Sequence, residues 1–492
     1  MLMLFTMSYL IPLGMSTTGV DMPSEVKHTT DRQVFCHFMM GLMGNRESSY
    51  DYDDDMHRAK EVGIDAFALN IGVDHYTDTQ LTYAYESAAR CGMHVFLSFD
   101  FNIWDEGQTA AIGAKIRQYA NFSSQLRIDD KIFVSSFAGD AVDVDAIQEA
   151  ADGCLFFAPN FHPGHGNFGA IQSVLNWMAW PNNGNNKAPT PGHNITVREG
   201  DEQYIASLAG KPYIARELLI PNSDVLPTDF TAVSPWFSTH FGSDVSYSKN
   251  WVFPSDLLWY NRWQEILSVG PRFVEILTWN DYGESSYIGP LSSPHTDDGA
   301  SKWVLDMPHN GWREMMRPFI AAYKDGALSA NSYVTDEALI YWYRLTPRSI
   351  NCDQTDTTIE GGSNNSSGSF FRGRPNGWEQ MKDSVFAVSL LKYPADIRIN
   401  SGNSSKTFQA PAGISAYSVP MGVGPQKFTV SRRNKHVMSG ISAKNIVDHC
   451  ICGIYNFNAY VGMLPAPTTI DSLQPAGAAM LSQGLRSACD SS

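Results

Sequence analysis

The sequence predicts a mixed α/β protein in which a (β/α)8 barrel is followed by a smaller all-β sandwich. Its 492 residues are too many for one ordinary hydrophobic core, so two domains are expected. Short apolar runs alternate with helical patterns up to residue 328, and beyond it strand-like runs are separated by Gly, Pro, Asn and Ser. The predicted units are a barrel over residues 30–328, a sandwich over 335–470, and a tail over 471–492 that packs on the sandwich or trails from it.

Eight apolar runs provide the strands of the predicted barrel. They lack alternation of apolar and polar residues, which is typical of parallel strands buried on both faces. Amphipathic helical stretches lie between them and indicate βαβ units. The last helix is predicted within residues 310–328, where Trp312, Met316, Ile320 and Tyr323 recur on one face. The predicted strands are Val34–Met40, Ile64–Leu69, His94–Phe99, Lys131–Phe137, Gly153–Ala158, Val174–Trp180, Pro212–Ala215 and Arg272–Trp279.

The residues after the barrel have a different pattern. Runs such as "EALIYWYRL", "DSVFAVSLLK" and "QKFTVSR" are short and are bounded by turn-forming residues. Regular short strands of this kind predict an antiparallel sandwich. The sandwich is expected to brace the barrel, and carbohydrate binding is the alternative role.

Three features favour an extracellular or cell-wall location. Residues 1–20 begin with the apolar stretch "MLMLFTMSYLIPLGM", which is too short to span a bilayer and is interpreted as an imperfect signal peptide, because no basic residue precedes Lys27. Cys352 is expected to form a disulfide with Cys450 or Cys452. Buried free thiols are expected at Cys36, Cys91 and Cys154. Glycosylation sequons begin at Asn121, Asn194, Asn364, Asn365 and Asn403.

Composition limits the classes of partner. The chain has 35 Lys and Arg against 51 Asp and Glu, a formal charge of −16, which argues against a nucleic-acid partner. Charged residues make up 17% and aromatic residues 12%, a balance that suits neutral sugars, whose C–H faces pack on rings. We expect a monomer that binds a polysaccharide, with no cofactor, metal ion, nucleic acid or membrane.

Polar and aromatic residues follow several of the predicted strands. In a (β/α)8 barrel these carboxyl ends form the active face. The residues there are acids, amides and indoles, without a Ser-His-Asp pattern, a phosphate-binding loop or a metal cluster. Each has a structural alternative: Asp65 could bond to a neighbouring donor inside the barrel, and Trp177 and Trp180 are either core or sugar platform. The candidate substrate-binding residues are His37, Asp65, Asn70, Asp100, Asn102, Trp104, Asn160, His162, Trp180, Asn182, Trp279, Asn280, Tyr282 and Tyr287.

The stretch "TWNDYGESSYIGP", residues 278–290, concentrates this chemistry. Asp281 and Glu284 stand among aromatic residues at the end of the eighth predicted strand. Cleavage of a glycosidic bond needs one protonated acid for the leaving oxygen and one carboxylate that supports attack at the anomeric carbon. Apolar walls and two nearby like charges separate the pKa values of such a pair. Gly283 lets the loop bend, so we interpret Asp281 and Glu284 as the catalytic acids.

Several longer blocks carry a resemblance. They include "IDAFALNIG", "FLSFDFNIW", "WMAWPNNGNN", "SPWFSTHFG" and "EILTWNDYGESSYIGPL". Across residues 33–485 the chain resembles glycoside hydrolase family 71, the α-1,3-glucanases or mutanases of fungi. The resemblance implies a barrel and β-sandwich that hydrolyse α-1,3-glucan with inversion. Within these blocks, Trp236 and His240 join the candidate substrate-binding residues.

The roles within the acid pair also follow from resemblance. The related family 99 carries an acid-x-x-acid arrangement at the same strand end, and by that analogy Asp281 is the general base and Glu284 the general acid. One departure is the segment 216–233, which intervenes where the family is compact. It is either a loop after the seventh strand or a retained intron, and it puts in doubt any role for Arg216 or Glu217.

Two other functions stay open. One is a catalytically impaired glucan-binding wall protein of the same fold, which would bind the polymer without cleaving it. The other is an α-mannosidase of the family 99 kind, which shares the acid pair but should lack the long family 71 blocks.

Overall fold

A computed structural model describes residues 32–153, 155–184, 186–190, 192–208, 230–242, 249–356, 373–469, 471–473 and 489. In this part of the chain, no helix is long and apolar enough to cross a membrane. Several predicted features lie outside the described residues, namely the leader, the strand Pro212–Ala215, Arg216, Glu217, Cys154, Asn364 and Asn365.

A curled sheet of mainly parallel strands carries the first part of the chain. The strands up to residue 276 are β1 Gln33–Met39, β2 Ala66–Ile71, β3 His94–Asp100, β4 Arg127–Ile128, β5 Lys131–Phe137, β6 Leu155–Pro159, β7 Leu175–Asn176, β8 Phe230–Val233, β9 Ser238–His240, β10 Asn250–Val252 and β11 Phe273–Ile276. The parallel order is β6, β5, β3, β2, β1, β11, β8, β7, and the short β4 pairs antiparallel with the start of β5. Strands β9 and β10 form a separate antiparallel pair.

The parallel strands are apolar on both faces because both faces are covered. β2 is buried along its whole length. On one face the phenylalanines of five strands form an aromatic cluster in which the ring centroids of Phe96 and Phe133 lie 4.7 Å apart. The other face packs against helices. The helices of the α/β part are α1 Asp53–Glu61, α2 Thr77–Cys91, α3 Thr109–Tyr119, α4 Val144–Ala150, α5 Val197–Leu208, α6 Leu258–Val269, α7 Ser301–Val304 and α8 Asn310–Lys324.

One predicted strand is shorter in the structure, and one strand of the sheet was not predicted. The run Val174–Trp180 is extended only at Leu175–Asn176, and the following residues form a loop. The strand that pairs with both β11 and β7 is Phe230–Val233, at the end of the segment that was expected to be a loop or an intron. A strand of only four residues gives almost no periodic signal, so its place in the sheet depends on long-range pairing. The last four residues of that segment therefore belong to the sheet.

Two antiparallel sheets follow the parallel sheet. Their strands are β12 Ala338–Arg344, β13 Ser384–Leu391, β14 Ala395–Ser401, β15 Ser404–Ala410, β16 Gly413–Pro420, β17 Gln426–Arg432, β18 Lys435–Ile441 and β19 Ala459–Leu464. One sheet has the order β16, β13, β12, β19 and the other β15, β14, β17, β18. They pack face to face, and Tyr341 of one stacks on Phe428 of the other with ring centroids 3.8 Å apart.

The antiparallel sheets share a core with the α/β part. Trp312 of α8 contacts both Trp236 and Trp342, with ring centroids about 6 Å apart in each pair. The predicted inner face of α8 is confirmed, because Trp312, Met316, Ile320 and Tyr323 are all buried. Residues 471–473 pack on the α/β part, where Asp471 accepts the backbone amides of Leu291 and Ser292. Asp471 therefore lies beside the segment that follows the acid pair.

Two disulfides lie in the last third of the chain. Cys352 pairs with Cys450, one of the two expected partners, and Cys452 pairs with Cys489. Cys36 and Cys91 are buried free thiols, as predicted. The disulfides tie the loops around residues 352 and 450 together beside the α/β part.

Candidate active site

Asp281 and Glu284 lie in one tight turn just beyond the carboxyl end of β11. The amide of Asp281 donates to Thr278 Oγ1 at 2.8 Å, and the amide of Glu284 donates to Asp281 Oδ1 at 2.9 Å. Both side chains are partly exposed, whereas the residues between them are buried. The turn therefore fixes the Asp281 carboxyl group and leaves both acids partly exposed at the carboxyl edge of the sheet.

A lysine lies against this pair. Lys249 Nζ forms an ion pair with Glu284 Oε1, and its backbone carbonyl accepts the amide of Phe241 at 2.9 Å. Burial alone would lower the pKa of Lys249, but the charges of Glu284, Asp281 and Asp298 raise it above its usual value. The ammonium group therefore stays charged and stabilises the ionised form of Glu284.

The two acids experience different environments. Burial and then the nearby charge of Glu284 raise the pKa of Asp281 to about 8, although Lys249 and the amide of Glu284 oppose the shift. Burial also raises the pKa of Asp298 to about 6. Gly283 is required here because a Cβ would lie 2.9 Å from the Phe241 ring and 3.0 Å from Asp298 Oδ2. At neutral pH this arrangement favours a protonated Asp281 beside the Lys249–Glu284 ion pair.

Asp100, the last residue of β3, contributes another carboxyl group to the same edge. Its Oδ1 accepts the amide of Asn102 at 2.9 Å. Burial raises the pKa of Asp100, while the charges of His37 and Lys249 lower it and that of Glu284 raises it. These interactions place Asp100 within electrostatic reach of the acid pair.

A buried His–Glu pair lies beneath this edge. His37 Nδ1 and Glu275 Oε1 are 2.7 Å apart, on the neighbouring strands β1 and β11. His37 Nε2 and Glu275 Oε2 have no hydrogen-bond partner within the described residues. The imidazole meets the Trp177 ring edge to face, with centroids 4.8 Å apart.

Comparison with known proteins identifies the family of this chain. The model described as "Glycosyl hydrolase family 71" matches residues 30–474. The chain belongs to glycosyl hydrolase family 71. It is therefore a glycoside hydrolase, as the acid pair predicted.

The relatives of this family 71 chain share most of its length. A mutanase of Penicillium rubens is 39% identical over 438 residues, which cover 88% of each chain. A glucan endo-1,3-alpha-glucosidase of Schizosaccharomyces pombe is 32% identical over 461 residues, 88% of this chain and 95% of that protein. A solved GH99 endo-alpha-mannosidase from Bacteroides thetaiotaomicron is 8% identical, with a TM-score of 0.39, over 60% of this chain and 98% of that one.

Most predicted aromatic residues of the family 71 chain lie behind the site. Trp279 Nε1 donates to Asp55 Oδ1 at 2.9 Å, and Trp236 Nε1 donates to the carbonyl of Phe457 at 3.0 Å. Their polar groups are satisfied without a substrate, so these rings support the site from within. The buried and hydrogen-bonded aromatic residues are Trp104, Trp180, Trp236, Trp279, Tyr282 and Tyr287.

Three predicted amides organise the backbone. Asn160 Nδ2 donates to the carbonyl of Leu175 at 3.0 Å and thereby links the end of β6 to β7. Asn280 Oδ1 accepts the amide of Met39 at 2.7 Å, and Asn182 Oδ1 accepts that of Gly184 at 2.7 Å. Asn70, by contrast, is buried near the carboxyl end of β2, two strands from Asp281.

The other predicted residues are spread more widely. Asp65 precedes β2 and binds Lys324 Nζ at 2.6 Å, so it lies at the amino ends of the strands, opposite the acid pair. This placement corrects its expected site role; Asp65 does bond to a neighbouring donor, as the structural alternative held, but it is partly exposed rather than inside a barrel. His162 is half-exposed and 2.7 Å from Asp140, and Asn102 is exposed. His240 is buried, with Nε2 2.8 Å from Asp356 Oδ2.

Four residues of the site were not among the predicted binding residues. Lys249 and Asp298 occur in loops without strand-end signals, Glu275 lies inside the apolar strand β11, and Trp177 was left open as either core or sugar platform. Lys249 is a single lysine within "SYSKNW", and nothing in that stretch indicates that it pairs with Glu284, 35 residues further along the chain. The described residues contain no group of three or more His, Cys, Asp or Glu placed to hold a metal ion.

Proposed function

We propose that this chain hydrolyses the α-1,3-glucosidic linkages of α-1,3-glucan with inversion at the anomeric carbon, using Asp281 and Glu284. The observation that supports it is the unequal environment of the two acids: Glu284 faces the Lys249 ammonium group, and Asp281 has a pKa raised to about 8. An acid–base pair with opposite protonation states is what glycoside hydrolysis requires. The names of the two relatives above support the choice of substrate.

In this mechanism Asp281 donates its proton to the glycosidic oxygen as the bond to the anomeric carbon breaks. Glu284 accepts a proton from the water that attacks the same carbon from the opposite face, which inverts the configuration. This order of roles is the reverse of the one that the family 99 analogy implies. It is supported by the position of Lys249, because an ammonium group beside Glu284 disfavours a neutral acid there.

Substrate contacts are proposed for the partly exposed or unsatisfied groups at the same edge. Asp100 is within electrostatic reach of the acids and can accept a sugar hydroxyl. Asn70, Asn102 and His162 lie in or after β2, β3 and β6 at the carboxyl edge and are proposed as outer contacts. The buried aromatic residues are proposed to position these groups rather than to touch sugar.

We further propose that the parallel sheet closes as an eight-stranded barrel, supported by the Asn160–Leu175 bond between its terminal strands. The enzyme is proposed to act as a monomer outside the cell or in the wall. Its two disulfides support an oxidising compartment, and one relative is named an ascus wall endo-1,3-alpha-glucanase of Schizosaccharomyces pombe, 25% identical over 462 residues.

The decisive experiment measures reducing sugar released from insoluble α-1,3-glucan. Asp281→Asn and Glu284→Gln should each lower kcat by about 10²–10⁴-fold, since each removes one proton-transfer group. Asp54→Asn, an exposed carboxylate on α1, is the matched control and should keep full activity. Unchanged activity in both site variants would overturn the assignment. Binding of the polymer by wild type with no cleavage would instead support the glucan-binding alternative.

Stereochemistry is tested separately. Proton NMR during the first minutes of hydrolysis should show the β-anomer as the initial product, because the substrate linkage is α. An initial α-anomer would establish retention and exclude the single-displacement mechanism while leaving the substrate assignment intact.

A further inference from the structure

Trp177 differs from the other indoles at the carboxyl edge of the sheet. It directly follows β7, which pairs with β8, the neighbour of the acid-bearing strand β11. Its side chain is partly exposed, and its Nε1 has no hydrogen-bond partner within the described residues. Trp180, three positions later, is buried and donates Nε1 to the carbonyl of Trp236 at 3.2 Å. Trp177 thus keeps both a ring surface and a donor available.

The ring of Trp177 packs against the buried His37 and the partly exposed Phe137. His37 meets it edge to face with centroids 4.8 Å apart, and Phe137 meets it at 4.7 Å. His37 cannot turn freely, because Nδ1 is held 2.7 Å from Glu275 Oε1 in a site that is 1% exposed. Glu275 therefore fixes His37, and His37 fixes the plane of the indole. Such a supported ring loses little side-chain entropy when it binds a ligand.

The same histidine connects Trp177 with the acids. His37 Nδ1 lies 2.7 Å from Glu275 on β11, the strand that leads into the turn with Asp281 and Glu284. Trp177 follows β7, Asp100 ends β3 and Glu284 follows β11, so all three lie at the carboxyl edge of one parallel sheet. An apolar ring face beside acceptor carboxylates matches a glucosyl unit, which has an apolar C–H face and hydroxyl groups at its rim.

We propose that Trp177 is the platform on which a glucosyl unit next to the scissile bond stacks, with His37 and Glu275 as positioning residues for the ring. This proposal rests on the proposed function, since it takes the ligand to be an α-1,3-linked glucan chain. Asp100 then accepts a hydroxyl of the stacked sugar, and Trp177 Nε1 donates to another.

The test measures binding without turnover. In the Asp281→Asn background, an α-1,3-linked glucopentaose is titrated by calorimetry and by tryptophan fluorescence. Adding Trp177→Ala should raise Kd about 10-fold, which corresponds to about 1.4 kcal/mol, and should remove most of the fluorescence change. Trp177→Phe keeps a ring and should raise Kd by less. Tyr393→Ala removes a 64% exposed ring in the antiparallel sheets and should leave Kd unchanged.

Equal Kd values for Trp177→Ala and its parent would overturn the platform proposal. No binding of the pentaose by the parent itself would overturn the proposed function, so the two failures are distinguishable. For positioning, His37→Gln in the otherwise wild-type enzyme should raise KM for the pentaose while changing kcat less than threefold. A fall in kcat with constant KM would contradict a positioning role. Thermal unfolding of each variant shows whether it has folded.

Discussion

The Asp281 carboxylate accepts a hydrogen bond from the backbone amide of Glu284, with Oδ1 and N 2.9 Å apart. One turn therefore fixes the Asp281 carboxyl group and leaves the Glu284 side chain free to pair with Lys249. The two acids are close in sequence, yet within the described residues only Glu284 forms an ion pair with a cation. This asymmetry determines which acid holds a proton, and the first two predictions depend on it.

The first prediction assigns the roles by leaving group. A fluoride leaving group needs no protonation, so an α-glucosyl fluoride bypasses the general acid. Asp281→Asn should therefore hydrolyse the fluoride of an α-1,3-linked oligosaccharide within about 10-fold of wild type while remaining at least about 10²-fold slower on glucan. Glu284→Gln should be slow on both. If only Glu284→Gln hydrolysed the fluoride at a rate near that of wild type, Glu284 would be the general acid and Asp281 the general base, as the family 99 analogy implies.

The second prediction concerns pH. The pKa of Asp281 is raised to about 8, so its proton is present below that pH and is lost as pH rises through it. The kcat/KM on soluble α-1,3-oligosaccharides should fall above about pH 8. The free energy of unfolding should change in the same direction. The unfolded state releases the Asp281 proton at about pH 4, whereas the folded state keeps it up to about pH 8. The contribution of Asp281 to stability therefore declines as the pH rises between these two values.

Lys249 provides the matched variant for this profile. Lys249→Met removes the cation that opposes the shift, so the alkaline limb should move to higher pH and kcat should fall at least about 10-fold. Lys392→Met, an exposed lysine in the antiparallel sheets, should change neither. An unmoved alkaline limb in Lys249→Met would exclude Asp281 as the group that titrates there.

The placement of the acid pair and of Asp100 at one edge could be predicted because parallel strands bring their carboxyl ends together. Their partners could not. Lys249 reaches Glu284 through the β9–β10 pair, and nothing in the local sequence fixes that approach. The strand β8 was hidden for a similar reason, since its four residues are recognised only by pairing with β11.

The aromatic residues show a second limit. A tryptophan beside an acid has the same sequence signature whether it lines a site or fills a core. The difference is a long-range partner: Trp279 donates to Asp55, 224 positions away, and is fully buried. Trp177 has no such partner for its nitrogen within the described residues and stays partly exposed. Burial and donor satisfaction, both tertiary properties, separate the two roles.

The third prediction concerns His240. Nδ1 faces Asn250 Oδ1 and Nε2 faces Asp356 Oδ2, each 2.8 Å away, and two oxygen acceptors favour the imidazolium form. Burial alone would lower the pKa of His240, but Asp356 and both hydrogen bonds raise it. Its contribution to stability is therefore complete below its unfolded pKa of about 6.5 and is lost as pH rises through the raised value.

His240→Ala should lower the free energy of unfolding by roughly 3–5 kcal/mol at pH 5, because it removes a buried charged partner of the Asp356 carboxylate. Urea unfolding at pH 5 and pH 8 measures this, and the loss should be smaller at pH 8. The control is His436→Ala, which removes an exposed imidazole in β18 and should stay within about 0.5 kcal/mol of wild type. A pH-independent loss would show that the effect is packing alone.

The fourth prediction separates bracing from substrate binding at Trp236. Its ring is buried against Trp312, and its Nε1 donates to the carbonyl of Phe457, so it joins the α/β part to the segment before β19. Trp236→Ala should cost about 3–5 kcal/mol of unfolding free energy, and the folded fraction should keep its KM. Removal of residues 335–492 should leave an insoluble chain, because the face of α8 beneath Trp342 would be exposed. A fully stable Trp236→Ala with a raised KM would contradict this prediction. It would mean that Trp236 contacts sugar and is not needed to hold the two parts together.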